Sequence, residues 1–152
     1  MGIKQLDDLQ ITLPPAPKPI GVYTPAVRSG QLIFLSGQLP LVDGKLPAEF
    51  TGKLGYNVSL EDGQRAARQA TLNILAILNE MVGLDEVTRI VRLAGYVSST
   101  PLFTEQPKVL NTASELLGLV FGENGIHARL ALSAPVLPLD SCIEVEVIAE
   151  VK

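Results

Sequence analysis

The C-terminal part of the chain alternates apolar and polar residues with a period of two. Its apolar positions are Ile143, Val145, Val147, Ala149 and Val151, and the intervening positions are Glu144, Glu146, Ile148 and Glu150. This alternation predicts a strand with one buried face and one largely carboxylate face. Residues 89–98 alternate in a similar way and predict another strand.

Two further extended stretches precede the helical part of the chain. Residues 22–28 and 31–36 are joined by Ser29-Gly30, a pair typical of a tight hairpin. The second stretch is apolar throughout Leu32–Leu35, which predicts a central strand covered on both faces. Residues 1–20 contain several closely spaced prolines and predict an extended N-terminal arm.

A helical period of apolar residues predicts two helices. The first begins after Ser59, whose hydroxyl can cap it, and ends before Gly83, a residue suited to a left-handed helix end. The second begins near Pro107 and ends before Gly122. The order of elements is therefore strand, strand, helix, strand, helix, strand, strand.

The chain length and composition favour one domain, residues 1–152, that associates with itself. Two helices cannot cover both faces of a mixed sheet of about six strands, so we expect both helices on one face. Apolar residues make up 47% of the chain and charged residues only 18%, a high apolar share for a small monomer. We therefore expect the second face of the sheet to be buried between subunits.

The candidate site predicted from the C-terminal pattern joins Arg129 to Glu144. If residues 134–139 connect a hairpin, the two side chains lie directly opposite each other. A guanidinium beside a carboxylate could hold a carboxylate ligand and a water molecule. His127, the single histidine, is expected to be exposed at the start of the strand. Cys142 is expected to be a small buried residue.

Charge and cysteine content limit the partners and the compartment. The net charge is −4 and the basic residues are scattered, so neither nucleic acid nor an anionic membrane is an expected partner. One cysteine excludes an internal disulfide and cannot alone form a metal site, which fits a cytoplasmic protein. No leader pattern or membrane-spanning apolar run is visible, so we expect a soluble, unprocessed protein.

Four short motifs follow these elements in order. They are Gly21-Val22-Tyr23 with Ala26–Gly30, Leu35–Pro40, Asn111 in the second helix, and Ala128-Arg129 followed by Ile143–Glu146. Their order and spacing, including fifteen residues from Arg129 to Glu144, resemble the Rid family, also called YjgF/YER057c/UK114 and endoribonuclease L-PSP. The N-terminal arm and an insertion at Gly52–Gly55 resemble a longer, divergent subgroup of that family.

The resemblance implies an α+β, chorismate-mutase-like fold assembled as a homotrimer, with sites in the clefts between subunits. It implies that Arg129 holds the carboxylate of a small metabolite and that Glu144 positions a water molecule. This water would hydrolyse a reactive enamine or imine to a 2-oxo acid and ammonia. Tyr23, Ser36 and Asn111 would line the same cleft. The resemblance implies no metal and no organic cofactor.

Three function classes remain open. Leu130 and Ala131 stand where deaminases of the family usually have serine and cysteine, so an imine hydrolase of low activity is one expectation. The second is a non-catalytic binder of carboxylate metabolites, which would share Arg129 but not the water-positioning role of Glu144. The third is a ribonuclease. Acid–base cleavage of RNA usually needs two groups that titrate near neutrality and cations for the phosphates, which disfavours it for this acidic chain with one histidine.

Overall fold

Five strands form a single mixed sheet in the computed structural model, which describes residues 2–152. The strands are β1 (Ala26–Ser29), β2 (Leu32–Leu35), β3 (Val87–Ser98), β4 (Ala128–Ala134) and β5 (Ile143–Val151). Their spatial order is β1-β2-β5-β3-β4. Only β3 and β4 run parallel, whereas the other neighbouring pairs are antiparallel. The sheet has one strand fewer than the predicted six.

Residues 2–152 contain three α-helices, α1 (Gly2–Asp8), α2 (Leu60–Met81) and α3 (Gln106–Phe121). The Ser59 hydroxyl accepts a hydrogen bond from the backbone of Asp62 at 3.0 Å and caps α2, as predicted. Gly83 has a φ of 86° and Gly122 a φ of 61°, so both helices end at residues that accept positive φ without steric cost. None of the helices in this range is long and apolar enough to cross a membrane.

The predicted extended arm contains a helix at its start. In α1, Leu6 is buried in the main core, and the backbone of Ile3 donates to Asp85 Oδ1 at 3.2 Å. The prolines that impose extended geometry begin only at Pro14, so residues 2–8 are free to form a helical turn. From residue 11 to residue 25 the chain has no helix or strand, as expected for a proline-rich segment.

The predicted hairpin between the last two strands is wrong. Strand β4 pairs in parallel with β3, so that Arg129 lies opposite Leu93. Strand β5 lies between β2 and β3, and Glu144 lies opposite Tyr96. One face of β5 is fully apolar, and it is buried better when β5 lies at the centre of the sheet. In that position both edges of the strand are hydrogen-bonded, to β2 and to β3. Strand β4, with no fully buried residue, fits the edge.

Helices α2 and α3 cover one face of the sheet, as predicted. Their apolar residues share one core with Ile33, Leu93, Val97, Val145 and Val147. The opposite face is uncovered within the described chain. It carries Val27, Phe34 and Leu132 at 54%, 44% and 51% exposure. Strand β2 is therefore buried on one face only, which corrects the expectation that both of its faces are covered.

Cys142 is fully buried just before β5. Its backbone N–H donates to the carbonyl of Phe50 at 2.8 Å, and burial raises the pKa of the thiol to about 12. The prediction of a small buried residue is confirmed, and a thiol that stays protonated is a poor nucleophile.

Candidate binding and catalytic site

The predicted site residues divide between two pockets on opposite faces of the sheet. Arg129 lies opposite Leu93, a core residue beneath the helices. Glu144 lies opposite Tyr96, three positions further along β3 and therefore on the other face. Because β3 also separates the two strands, the predicted direct pairing of Arg129 with Glu144 is wrong.

Glu144 lines a cavity of about 270 Å³ at the end of the sheet. Tyr23, Gly37 and the segment 17–21 of the N-terminal arm line the same cavity. Burial raises the pKa of the Glu144 carboxyl, and the neighbouring charge of Glu146 raises it further. A carboxyl with a raised pKa accepts a proton from water more readily than an ordinary carboxylate.

The carboxylate of Glu144 rests directly against the backbone of Gly37. A methyl group added at Gly37 would lie 2.5 Å from Glu144 Oε1, closer than any real contact. Hydrogen bonds in both directions between Gln38 and Val145, at 2.7 and 3.0 Å, fix this approach. The glycine of the Ser36-Gly37-Gln38 motif is therefore required by the position of the carboxylate.

Replacing Gly37 by alanine is expected to displace the Glu144 carboxylate, because the new methyl group would collide with it, and to lower the turnover of any reaction that uses this carboxylate roughly ten- to a hundredfold. The colliding atom is at the end of a flexible side chain, so the fold should survive. Steady-state kinetics together with a thermal unfolding curve would check both points. Unchanged turnover in a folded Gly37→Ala protein would contradict this account of the site.

Ser36 secures the segment that carries Tyr23. Its hydroxyl donates to the carbonyl of Thr24 at 2.7 Å, and its backbone N–H donates to the carbonyl of Pro25 at 2.9 Å. Tyr23 itself is 51% exposed and lines the Glu144 cavity. The structure thus brings Tyr23 and Glu144 together, whereas Ser36 does not line the cavity and its hydroxyl is bonded to the Thr24 carbonyl.

Arg129 lines a second pocket of about 300 Å³ beside α3. Its Nη1 donates to Asn111 Oδ1 at 2.9 Å and to Ser114 Oγ at 3.2 Å. Within the described chain, no carboxylate forms an ion pair with Arg129. The structure therefore brings Arg129 and Asn111 together and leaves a positive charge for an anionic ligand.

His127 lies in the Arg129 pocket and is half-buried, so the expectation of full exposure is wrong. Its Nε2 is 3.0 Å from Ser114 Oγ and its Nδ1 is 2.6 Å from the carbonyl oxygen of Gly125. Burial lowers the pKa of His127, and the charge of Arg129 lowers it further. Sequence reasoning also missed Ser114. The available signals were the two-residue step from His127 to Arg129 and the three-residue step from Asn111 to Ser114.

The carboxylates that follow Glu144 on β5 have other partners. Arg92 Nη1 is 3.7 Å from Glu146 Oε1, and the Thr88 hydroxyl donates to Glu150 Oε2 at 3.2 Å. Both carboxylates are partly exposed, so these contacts contribute little to stability. Arg92, rather than Arg129, is the guanidinium beside this carboxylate row.

The fold and the sequence together define the class of protein. Residues 5–151 match the family described as "YjgF/chorismate_mutase-like, putative endoribonuclease". The chain therefore belongs to this family, and the resemblance found from the short motifs is confirmed.

Individual relatives cover nearly the whole chain. Protein TCP17 of Trypanosoma cruzi is 41% identical over 147 residues, which span 95% of this chain and 91% of the relative. The 2-iminobutanoate/2-iminopropanoate deaminase of Salmonella typhimurium is 32% identical over 136 residues, 88% of this chain and 91% of the relative. The crystal structure of Atu1372, a protein of unknown function from Agrobacterium tumefaciens, superposes with a TM-score of 0.89 at 38% identity. This superposition covers 98% of this chain and 91% of Atu1372.

Proposed function

We propose that this protein hydrolyses reactive enamine or imine intermediates to 2-oxo acids and ammonia in a cleft between subunits. The observation that carries the proposal is that one chain presents two half-sites of complementary chemistry. One presents the guanidinium of Arg129 held by Asn111, and the other presents Glu144 with a raised pKa beside Tyr23. The relationship to the Salmonella deaminase supports the same reaction class.

The proposed reaction moves protons and adds water without oxidation or reduction. Arg129 binds the carboxylate of a 2-imino acid, and Glu144 accepts a proton from a water molecule as its oxygen attacks the imine carbon. Glu144 returns this proton to the imine nitrogen, which gives a neutral carbinolamine. Glu144 then takes the proton of the carbinol hydroxyl and passes it to the same nitrogen. The carbon–nitrogen bond breaks, ammonia leaves, the carbinol oxygen becomes the carbonyl of the 2-oxo acid, and Glu144 is again a carboxylate. Proton transfer and carboxylate binding are therefore the tasks required of the protein.

The two half-sites can meet only if copies of the chain associate. Within one chain they lie on opposite faces of the sheet with β3 between them. The uncovered face carries the exposed apolar side chains of Val27, Phe34 and Leu132, and such a patch favours self-association. We place the Arg129 pocket at edge strand β4 of one copy against the Glu144 cavity of the next, in a homotrimer.

A shared site makes a specific prediction for mixed assemblies. A trimer that combines Arg129→Ala and Glu144→Gln subunits always contains one interface where an intact Glu144 faces an intact Arg129. Random assembly at equal ratio would therefore leave roughly a quarter of all sites intact. Co-expression of the two variants with different tags should restore about that fraction of the wild-type rate at low substrate concentration, where each variant alone is nearly inactive.

Light scattering on the same samples checks the assembly. A stable monomer near the chain mass of 16.2 kDa, or no recovery of turnover in a mixed trimer, would contradict the shared site. Mixing Arg129→Ala with an Arg129→Ala, Glu144→Gln double variant is the matched control. That mixture contains no intact pair and should stay inactive.

The reaction itself is tested by ammonia release from freshly generated 2-aminoacrylate, without added metal. We expect the wild-type protein to accelerate release over buffer and over the Glu144→Gln protein. A rate of ammonia release equal to the rate in buffer alone would reject the proposed hydrolysis.

A non-catalytic binder of carboxylate metabolites is the second candidate function. Leu130 and Ala131 place no hydroxyl or thiol directly after Arg129, whereas the binding half-site around Arg129 is complete. Retained 2-oxo acid binding without any acceleration of imine hydrolysis would favour this binder. In that case Glu144→Gln should change nothing that can be measured by ligand binding.

A further inference from the structure

Arg129, Ser114 and His127 form a chain of hydrogen bonds whose direction follows from their chemistry. A guanidinium can only donate, so Ser114 Oγ accepts from Arg129 Nη1 at 3.2 Å. A backbone carbonyl can only accept, so His127 Nδ1, 2.6 Å from the oxygen of Gly125, carries a proton. The remaining ring nitrogen, Nε2, lies 3.0 Å from Ser114 Oγ.

The neutral imidazole completes this chain without conflict. With Nδ1 protonated, neutral His127 offers an unprotonated Nε2, which accepts the single hydroxyl hydrogen of Ser114. The oxygen of Ser114 then keeps its lone pairs for Arg129. Burial lowers the pKa of His127, the hydrogen bond to Gly125 opposes this change, and the charge of Arg129 adds to it. The net direction is downward, which favours the neutral ring.

The same contacts decide which edge of the guanidinium is presented to a ligand. Both contacts of Arg129 with α3 involve Nη1, through Asn111 and Ser114. The edge formed by Nε and Nη2 has no partner within the described chain. Two parallel N–H groups on one planar edge match the geometry of a carboxylate.

We propose that His127 and Ser114 are positioning residues for Arg129, which orient its Nε–Nη2 edge toward the carboxylate of the ligand. This inference rests on the proposed function, because the carboxylate belongs to the same substrate. His127 holds the Ser114 hydroxyl in one orientation, and Ser114 then holds Nη1 together with Asn111. Neither residue needs to touch the reacting atoms.

Arg129 is the charged group that faces His127 in this pocket. The other lining residues come from α3 and the segment that follows it, and none of them titrates: Asn111, Ser114, Gly118, Gly125 and Ile126. A bound carboxylate should neutralise the charge of Arg129 and therefore raise the pKa of His127. This coupling gives a readout that a purely structural histidine would not show.

Nuclear magnetic resonance of ¹⁵N-labelled wild-type protein tests the hydrogen-bond chain without any ligand. The chain has a single histidine, so its ring signals need no assignment. We expect the tautomer with the proton on Nδ1. A proton on Nε2 in the neutral ring would overturn the proposal. Pyruvate at saturating concentration should then raise the pKa of His127, and an unchanged pKa with pyruvate bound would also overturn it.

Variants test the effect on binding, with pyruvate as the probe in calorimetry. Ser114→Ala and His127→Ala are expected to weaken pyruvate binding roughly three- to tenfold, the loss typical of one hydrogen bond. His127→Gln should stay within about twofold of wild type, because its amide oxygen can accept from Ser114 in place of Nε2. Thr112→Ala, which removes a hydroxyl from α3 outside the pocket lining, is the matched control.

The outcomes separate this inference from the proposed function. Wild-type affinity in folded Ser114→Ala and His127→Ala proteins would reject the positioning role and leave the proposed function standing. Absence of pyruvate binding to the wild-type protein would reject the proposed function. The tautomer measurement would then still decide whether His127 orients Ser114, because it requires no ligand.

Discussion

Replacing Arg129 by alanine is expected to weaken 2-oxo acid binding roughly ten- to a hundredfold. A charge-assisted contact with a carboxylate in a sheltered pocket contributes about 1.5–3 kcal/mol, and the alanine protein loses it completely. Arg129→Lys should restore only part of the affinity, because an ammonium lacks the planar pair of donors. Calorimetry with pyruvate would measure all three proteins.

Arg65 supplies the control for a general effect of removing a guanidinium. It lies on α2, where it forms an ion pair with Asp62 at 2.9 Å, and it lines neither pocket. Arg65→Ala should therefore bind pyruvate like wild type. Equal losses of pyruvate affinity in the Arg65→Ala and Arg129→Ala proteins would show that the anion binds elsewhere. Wild-type affinity in a folded Arg129→Ala protein would show the same.

Replacing Glu144 by glutamine is expected to cut turnover by ~10²-fold or more while 2-oxo acid binding stays nearly unchanged. Glutamine keeps the shape and the contact with Gly37 but cannot accept a proton from water. Steady-state kinetics and pyruvate calorimetry on the same preparation would measure the two effects. Loss of binding in parallel with turnover would contradict the separation of roles between Glu144 and Arg129.

Glu150→Gln is the matched control for the Glu144 variant. Glu150 is an outward-facing carboxylate near the end of β5 that accepts a hydrogen bond from the Thr88 hydroxyl at 3.2 Å, outside the lining of the Glu144 cavity. Its replacement should leave turnover close to wild type. Turnover lost equally in both variants would indicate that the whole carboxylate row, rather than Glu144, is responsible.

The sign of the pKa shift of Glu144 tells how its protonation changes the free energy of unfolding. Burial raises the pKa of Glu144, so the folded protein holds this proton more tightly than the unfolded chain. The resulting stabilisation is complete below the ordinary carboxyl pKa and is lost as the pH rises through the raised folded value. The neutral Glu144→Gln side chain should therefore cost no stability at neutral pH, which separates a catalytic loss from unfolding.

The local features of the fold could be predicted from the sequence because their causes are local. A serine hydroxyl at position 59 and glycines at positions 83 and 122 mark the helix ends through contacts within a few residues. The alternation in β5 likewise requires only a buried and an exposed side. These elements depend on the backbone conformations and side-chain periods available to short segments.

The pairing of the strands could not be predicted in the same way. The hairpin prediction assumed that consecutive strands are neighbours, yet α3 returns the chain so that β4 lies parallel to β3. That choice depends on long-range burial, which the pattern of one strand does not encode. The prediction that Arg129 lies beside Glu144 failed for this reason, although each residue does line a pocket.

The candidate site residues stay a prediction, and the structure shows how they are arranged. The family resemblance pointed to Tyr23, Ser36, Asn111, Arg129 and Glu144. Four of them form two pairs in the structure, and Ser36 lines neither pocket. His127 was assigned to solvent because its position before β4 suggested an exposed strand end. Its contact with Ser114 depends on how α3 packs against β4. The two-residue step from His127 to Arg129 indicates that the two side chains share a face, but it does not indicate which helix packs on that face.

The position of β5 in the sheet has a consequence for how the protein forms during synthesis. It follows every other strand in the chain, yet it lies between β2 and β3 and joins the β1-β2 hairpin to the β3-β4 unit. Until β5 has left the ribosome, the two sheet fragments have no common partner and the edges of β2 and β3 that face it stay unpaired. The nascent chain therefore completes its sheet only after translation of β5, and these edges are open to non-native pairing during that interval.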